Sequence, residues 1–205
     1  MSKTKRFFKE VFSWLLYMAI WVAVLFTFYH FVAQPFSVDG SSMEHSLEDG
    51  EKVWMWKLSD IERFDVVIFP QPNPLPNQKP KLYVKRVIGV PGDKIAYKDD
   101  QLLINGQAVD EFYLNEKAQE YKNAFGGLFT EDFDMYTFTG EEVVPEGKFF
   151  VMGDNRQNSV DGRSFGLIDS DSVLGKATFI YWPLKNFGKI PDYDLNSNGD
   201  AIVEE

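Results

Sequence analysis

The chain has 205 residues, a formal net charge of −10, no cysteine and two histidines. Without cysteine, disulfides, thiolate metal sites and thiol catalysis are excluded, and His30 and His45 alone leave little for a histidine-rich metal site. So acidic a balance is poorly suited to nucleic acid, whose binding relies on Lys and Arg displacing counterions. An aromatic content of 16% suits β structure and contact with a membrane interface.

The charge is unevenly placed. Residues 1–10 carry Lys3, Lys5, Arg6 and Lys9 against Glu10, a net of about +3, and residues 11–33 carry no formal charge. Residues 34–205 therefore hold about −13. Residues 11–33, VFSWLLYMAIWVAVLFTFYHFVA, have only Ser13, Thr27 and His30 as polar interruptions. As a helix they reach roughly 34 Å, enough for a hydrocarbon core of about 30 Å. A cleavable leader has an apolar core of roughly 7–15 residues, so a retained single-pass anchor is expected. The basic flank favours the cytoplasmic side, which places the acidic remainder outside the plasma membrane. His30 reads as a neutral interfacial side chain, since the span holds no ionisable partner for a proton relay.

After Gln34-Pro35 the pattern becomes short apolar runs cut by Gly, Pro, Asn and Asp. EKVWMWKL (51–58), RFDVVIFP (63–70), KLYVKRVIGV (81–90), GKFFVMGD (147–154) and GKATFIYWP (175–183) read as strands. DKIAYKDDQLLINGQAV (93–109) holds Asp99-Asp100 and Asn105-Gly106, and Asn-Gly is a strong hairpin signal. The expectation is a mainly β domain over residues 34–190, with no regular repeat and no α/β alternation. Residues 70–80 are proline-rich and read as an extended loop, and 110–142 as an acidic insertion of undetermined conformation. Trp54 and Trp56 share one face of their strand, where sheet packing and membrane contact are both open. The acidic tail, 191–205, contains DLNSNGDAIVEE, which fits D-x-N-x-N-G-x5-E with Gly199 at the turn and Glu205 as last ligand. Weak calcium binding is one reading, and a solvated, disordered tail is the expected one.

Three stretches invite chemistry: SSM (41–43), KR (85–86) and GDNRQNSVDGRSFG (153–166). VDGSSMEHSL (38–47) sets Ser41 and Ser42 in a turn-like setting, with His45 three positions on. Lys85 sits in a strand-like run where alternation groups it with Tyr83 and Val87, opposite Val84 and Arg86. An amine in apolar surroundings loses solvation of its charged form and can serve as the base for a serine. The plain alternative is a snorkelling surface lysine.

VDGSSMEHSLEDG, RFDVVIFP, YVKRVIGVPGDKI and VMGDNRQNSVDGRSFGLID follow one another after the apolar N-terminal run. In that order they resemble the motif series of bacterial type I signal peptidases, serine–lysine proteases that remove signal peptides from exported preproteins. The single anchor and the glycine before the serines are most similar to the Gram-positive members. The resemblance implies Ser42 as nucleophile and Lys85 as general base, with Arg86 completing the Lys-Arg pair. It implies that Ser159 helps hold the lysine, that Asp161 and Arg163 are its acidic and basic supports, and that Asp154, Asn155 and Arg156 form a structural GDNR turn. The backbone N–H of Ser42 becomes one oxyanion donor, while Gly40 stands where some members carry a second, hydroxyl donor.

The implied fold is a β catalytic core beside the membrane, with a smaller β region inserted at 95–145. Phe36, Val38, Tyr83 and Val84 are expected to shape small apolar pockets for alanine-like side chains, with ordinary core packing as the alternative. The implied partners are signal peptides of secretory preproteins, the lipid bilayer and the protein-export machinery. No metal or cofactor is expected, since serine, lysine and water suffice. Ser42 lies nine residues past Ala33, so it stays within ~30 Å of the membrane surface.

Three positions depart from the family pattern: His45 replaces a usual proline, Phe64 a glycine and Gly162 a serine. A Ser42–His45 dyad is a rival, disfavoured because residues so close rarely aim at each other outside a helix. A catalytically silent relative acting in surface-protein or pilus assembly, or a protease dedicated to one exported protein, are the alternative functions.

Overall fold

The computed structural model describes residues 3–74 and 76–204, beginning with one long helix, α1 (Lys3–Phe31). The basic flank is helical too, and the helix ends two residues before the apolar run does. Pro35 disfavours helix at Gln34, and Ala33 already belongs to strand β1 (Ala33–Ser37). Residues 6–31 are long and apolar enough to cross a membrane, and none of the most apolar stretch is buried against the rest of the chain. Lys57 secures the exit from the helix. Its Nζ donates to the His30 carbonyl and to Gln34 Oε1, both at 2.9 Å, and its backbone N–H donates to the Val32 carbonyl. These donors satisfy carbonyls that a helix end leaves unpaired.

Strands β2 (Lys52–Trp56), β3 (Val66–Pro70) and β4 (Leu82–Gly89) follow. Alternation in β2 buries Val53 and Met55 and leaves Trp54 and Trp56 half-buried on the other face. Trp56 meets the Phe28 ring edge-on at 6.4 Å, and Trp54 meets Tyr181 at 5.5 Å. The inserted region comes next: β5 (Ile95–Lys98), β6 (Gln101–Ile104), β7 (Gln107–Val109), α2 (Asn115–Phe125), β8 (Phe133–Asp134) and α3 (Tyr136–Thr139). Its four strands form a separate sheet ordered β7-β6-β5-β8. Asp99-Asp100 and Asn105-Gly106 have positive φ throughout, as two-residue hairpin turns require. Stretch 110–142, left open by the sequence, thus supplies two helices and an edge strand.

The chain then returns to the main body through β9 (Lys148–Met152), α4 (Gly162–Phe165), β10 (Ile168–Asp169), β11 (Gly175–Trp182) and β12 (Gly188–Lys189). The main sheet runs β1-β2-β11-β3-β4-β9-β10, every pairing antiparallel, with β12 on β11. At Gly175 a Cβ would fall on the Trp56 carbonyl, so only glycine lets β11 enter between β2 and β3. β3 is buried on both faces. Val66 and Ile68 pack with Val38, Met43 and Leu47, whereas Val67 and Phe69 pack with Val87 and Val151.

The tail is not the solvated, disordered segment expected. β13 (Tyr193–Leu195) and β14 (Ile202–Glu204) form a hairpin, and Ile202 enters the core of the inserted region. Tyr193, Leu195 and Ile202 give it an apolar face that the acidic composition obscures. Its turn spends polar groups on itself: Asn196 Oδ1 accepts the N–H groups of Asp200 and Ala201, and Asp194 Oδ1 accepts that of Leu195. Glu205, the last position of the calcium pattern, lies outside the described residues.

Arg156 ties the two sheets together. Fully buried, it donates to both Glu111 oxygens at 2.6 and 3.1 Å, to the Tyr97 hydroxyl at 2.7 Å and to the Gly153 carbonyl at 3.1 Å. Removing one partner of such a pair strands the other charge in low dielectric. Glu111→Ala is therefore expected to cost about 3–5 kcal/mol in equilibrium denaturation, against less than about 0.5 for exposed Glu116→Ala.

Candidate active site

The turn after β1 owes its shape to two apolar anchors. Met43 and Leu47 are fully buried, and the N–H groups of Ser46 and Leu47 close on the Met43 carbonyl at 3.0 and 2.8 Å. Gly40 takes φ +91° and donates its N–H to Asp49 Oδ1 at 2.7 Å, which turns the chain ahead of the serines. Ser42 is thereby held at the edge of a groove of about 460 Å³ lined by Val38, Tyr83, Val84, Lys85, Gln157 and Ser159, among others.

Lys85 approaches from β4. Its Nζ lies 2.6 Å from Ser42 Oγ and 2.9 Å from the Val84 carbonyl, and 5.3 Å from the centre of the Tyr83 ring. The residue is 3% exposed. Burial pushes its pKa down to about 8, against the opposing pull of Asp161 and Asp154. Its neighbour Arg86 points the other way, as alternation requires. Its guanidinium holds Asp154 through bonds of 2.6–3.2 Å and donates to the Phe64 carbonyl at 2.8 Å and Ser46 Oγ at 3.3 Å. Burial raises the Asp154 pKa, but Arg86 outweighs it and holds the carboxyl below the usual range.

The GDNR turn abuts the serine. Asn155 donates its backbone N–H to the Ser42 carbonyl and its side-chain amide to the Ser41 carbonyl, each at 3.0 Å. A Cβ on Gly153 would collide with Ser159 Oγ and the Ser42 carbonyl, so this turn admits only glycine. Asp161 accepts the Gly153 N–H at 3.0 Å and pairs with Arg163 at 2.8 Å, and Arg163 donates onward to the Arg156 carbonyl. Burial raises the Asp161 pKa, and Arg163 more than offsets it. Ser159 is brought to the groove beside Lys85, but its hydroxyl is buried without a hydrogen bond, close to Asp161. Among the described residues no acceptor takes the Ser42 N–H.

Of the pocket candidates, Val38, Tyr83 and Val84 line the groove, whereas Phe36 packs half-buried against the core that includes Val38. His45 is exposed and, among the described residues, makes no hydrogen bond to Ser42. Its φ of +81° is closed to the proline of the usual pattern. Phe64, where glycine is usual, takes φ +70°. At Gly162 a Cβ would press on the Phe150 ring, so the usual serine does not fit this packing. Sequence reasoning missed Glu111, Ser46 and Asn158, whose amide donates to Ser41 Oγ at 2.8 Å. Asn158 and Ser46 carry a signal, their places inside the DNRQNS and VDGSSMEHSL runs, and Glu111 carries none.

The chain thus presents a β domain with an open groove, a serine and a buried lysine in contact at its rim, and a membrane-length apolar helix leading into it. The family model described as signal peptidase, peptidase S26, matches residues 11–182, and the chain belongs to that family. It is 39% identical over 187 residues to signal peptidase IB of Staphylococcus aureus (strain COL), covering 87% of this chain and 93% of the relative. To signal peptidase I of Bacillus caldolyticus it is 43% identical over 170 residues, covering 81% and 88%. The crystal structure of a signal peptidase I from Enterococcus faecalis V583 aligns with a TM-score of 0.52 at 38% identity, over 58% of this chain and 98% of that one.

The lysine leaves a thermodynamic signature. Below about pH 8 it is charged both folded and unfolded, and burial opposes folding in full. Between about 8 and the ordinary 10.5 only the unfolded chain holds the proton, so stability climbs with pH. Lys85→Met is expected to stabilise the protein by about 2–4 kcal/mol at pH 7, a gain that fades towards pH 10.5. Denaturant unfolding across that range measures it, and an equal gain at both ends would contradict the assignment.

Proposed function

We propose that this protein is a membrane-anchored serine endopeptidase that removes signal peptides from exported preproteins, with Ser42 as nucleophile and Lys85 as general base. The observation that carries this reading is the 2.6 Å approach of a buried lysine amine to a serine hydroxyl at the rim of an open groove. A neutral amine has two N–H donors and one lone pair. The Val84 carbonyl takes one N–H, and once the amine is neutral its lone pair can accept the Ser42 hydroxyl proton across the 2.6 Å contact.

Lys85 accepts the hydroxyl proton as Oγ attacks the scissile carbonyl. The developing oxyanion meets the free Ser42 N–H, with no side-chain donor at Gly40. The lysine ammonium then protonates the departing amine, leaving an ester on Ser42. Neutral again, Lys85 takes a proton from water as that water attacks the ester, and the ammonium returns it to Ser42 Oγ.

Backbone pairing supports an extended peptide as substrate. β9 pairs with Arg86, Val87 and Gly89 of β4, leaving residues 82–85 without a strand neighbour on that side among the described residues. β1 is the outer strand of the sheet, paired with β2 alone, and Val38 beyond it bonds to residues 50 and 51 on that same side, so its other edge is open among the described residues. A substrate strand placed between these edges would set alternate side chains against Val38, Tyr83 and Val84. Helix α1 would tether the groove beside the bilayer, with the basic N-terminus in the cytoplasm and the catalytic domain outside.

The detergent-solubilised protein should cleave a model preprotein, and Ser42→Ala or Lys85→Ala should each lower kcat/KM by about 10³-fold or more. His45→Ala should retain cleavage. kcat/KM should rise with pH along a limb of apparent pKa about 8, because the deprotonated amine is the active form. Cleavage surviving in Lys85→Ala but lost in His45→Ala would overturn the dyad. Failure of the intact protein on several preproteins would point to a dedicated substrate or a silent relative.

A further inference from the structure

The C-terminal hairpin lies beyond the family match, which ends at residue 182, yet it reaches the residues beneath the dyad. The Arg86 guanidinium is 2% exposed, and its edge donors are committed to Asp154, the Phe64 carbonyl and Ser46. Its carbon lies 4.5 Å from the centre of the Tyr113 ring and 5.4 Å from that of Tyr193. The two rings stack on each other at 5.2 Å and 11°. A desolvated guanidinium over aromatic faces is held more firmly than one beside aliphatic chains.

We propose that the hairpin is part of the catalytic apparatus: Tyr193, stacked on Tyr113 against Arg86, is a positioning residue that keeps the Arg86–Asp154 pair closed and the Ser42 turn in register with Lys85. The inference rests on the peptidase reading above.

Two routes lead from Arg86 to the nucleophile. One passes through Asp154 to the adjoining Asn155, whose N–H holds the Ser42 carbonyl at 3.0 Å. The other passes through Ser46, in the turn that carries Ser42. Arg86 also adjoins Lys85 along β4, so a shift of its guanidinium is felt on the neighbouring residue. The charged groups in play are Asp154 and Asp161 around Lys85, Arg156 with Glu111 beside Tyr113, and Glu204 near Tyr193. Arg86 neutralises Asp154. If the pair loosens, more of the Asp154 charge reaches Lys85 and favours its ammonium.

The hairpin has other moorings: Ile202 in the inserted core, the bridge between Asp110 and Ala201, and Gln107 Nε2 donating to the Asn198 carbonyl at 3.1 Å. Replacing Tyr193 therefore leaves it docked. The Tyr193 hydroxyl makes no hydrogen bond among the described residues, so the ring is the part that matters.

The test uses the full-length protein in detergent, assayed on a model preprotein, with a parallel NMR titration of the Lys85 ε-methylene. Tyr193→Leu should lower kcat about 5- to 10-fold with KM within about twofold. Its activity limb and the Lys85 titration should both move to higher pH. Tyr193→Phe should restore the wild-type profile. Leu102→Ala, a cavity in the inserted core outside the hairpin, should lower Tm while leaving the limb in place. Tyr193→Met gives the same reading if leucine prevents folding. A fall in Tm with kcat, limb and titration all unmoved in Tyr193→Leu would reduce the hairpin to a fold element and overturn the proposal. If the wild type cleaves nothing but the Lys85 titration still moves in Tyr193→Leu, the peptidase reading fails and the positioning role stands.

Discussion

An ammonium taken out of water with no carboxylate in hydrogen-bond reach loses most of its solvation, and Lys85 is in that position. Its Nζ meets the Ser42 hydroxyl and the Val84 carbonyl, neither of them charged. That condition holds because the acids nearby are matched with other bases. Asp154 is taken by Arg86 and Asp161 by Arg163, through contacts of 2.6 and 2.8 Å. A free carboxylate beside Lys85 would hold its pKa nearer the ordinary 10.5 and shrink the neutral fraction that the proposed base role needs. Buried ion pairs contribute little net stability compared with apolar packing of similar size. Their consequence here is electrostatic, since they leave one amine unmatched.

The same constraint explains how consecutive residues serve different ends. In β4 the pleat sends Lys85 to the groove and Arg86 to the far face, so adjacent cations sit in separate surroundings. In the tight turn after β9 the residues also diverge. Gly153 clears space for Ser159 and the Ser42 carbonyl, Asp154 meets Arg86, Asn155 holds the serine backbone and Arg156 crosses to the inserted sheet. Short motifs of this kind are dense because each residue faces a different structural element.

Legibility from sequence followed that density. Motif order singled out Ser42 over Ser41 and Lys85 over His45, and alternation assigned the two faces of β4. The Asn105-Gly106 hairpin was readable because turn chemistry is local. Glu111 was not, since it lies in an acidic stretch whose importance depends on where Arg156 arrives from 45 residues away. The C-terminal hairpin was misread for a related reason. Charge and Asn-rich composition suggest a solvated tail, while three apolar residues on one face are enough to dock it once the inserted core offers a surface. Local chemistry is printed in the chain, and long-range pairing is not.

The departures from the family pattern show how far backbone geometry governs residue choice. Phe64 adopts a left-handed conformation that glycine enters without strain, at a cost of order 1 kcal/mol. Burying a phenylalanine side chain is worth about 1.5–3 kcal/mol, and this one is 1% exposed within the inserted core. Its carbonyl also accepts from Arg86, so the strained residue helps fix the arginine that neutralises Asp154. The left-handed conformation is what this site requires, and here the buried phenylalanine ring offsets its strain. His45, exposed at φ +81°, has no such compensation. That is consistent with a turn held by the buried Met43 and Leu47 on either side of it, whatever residue stands at its tip.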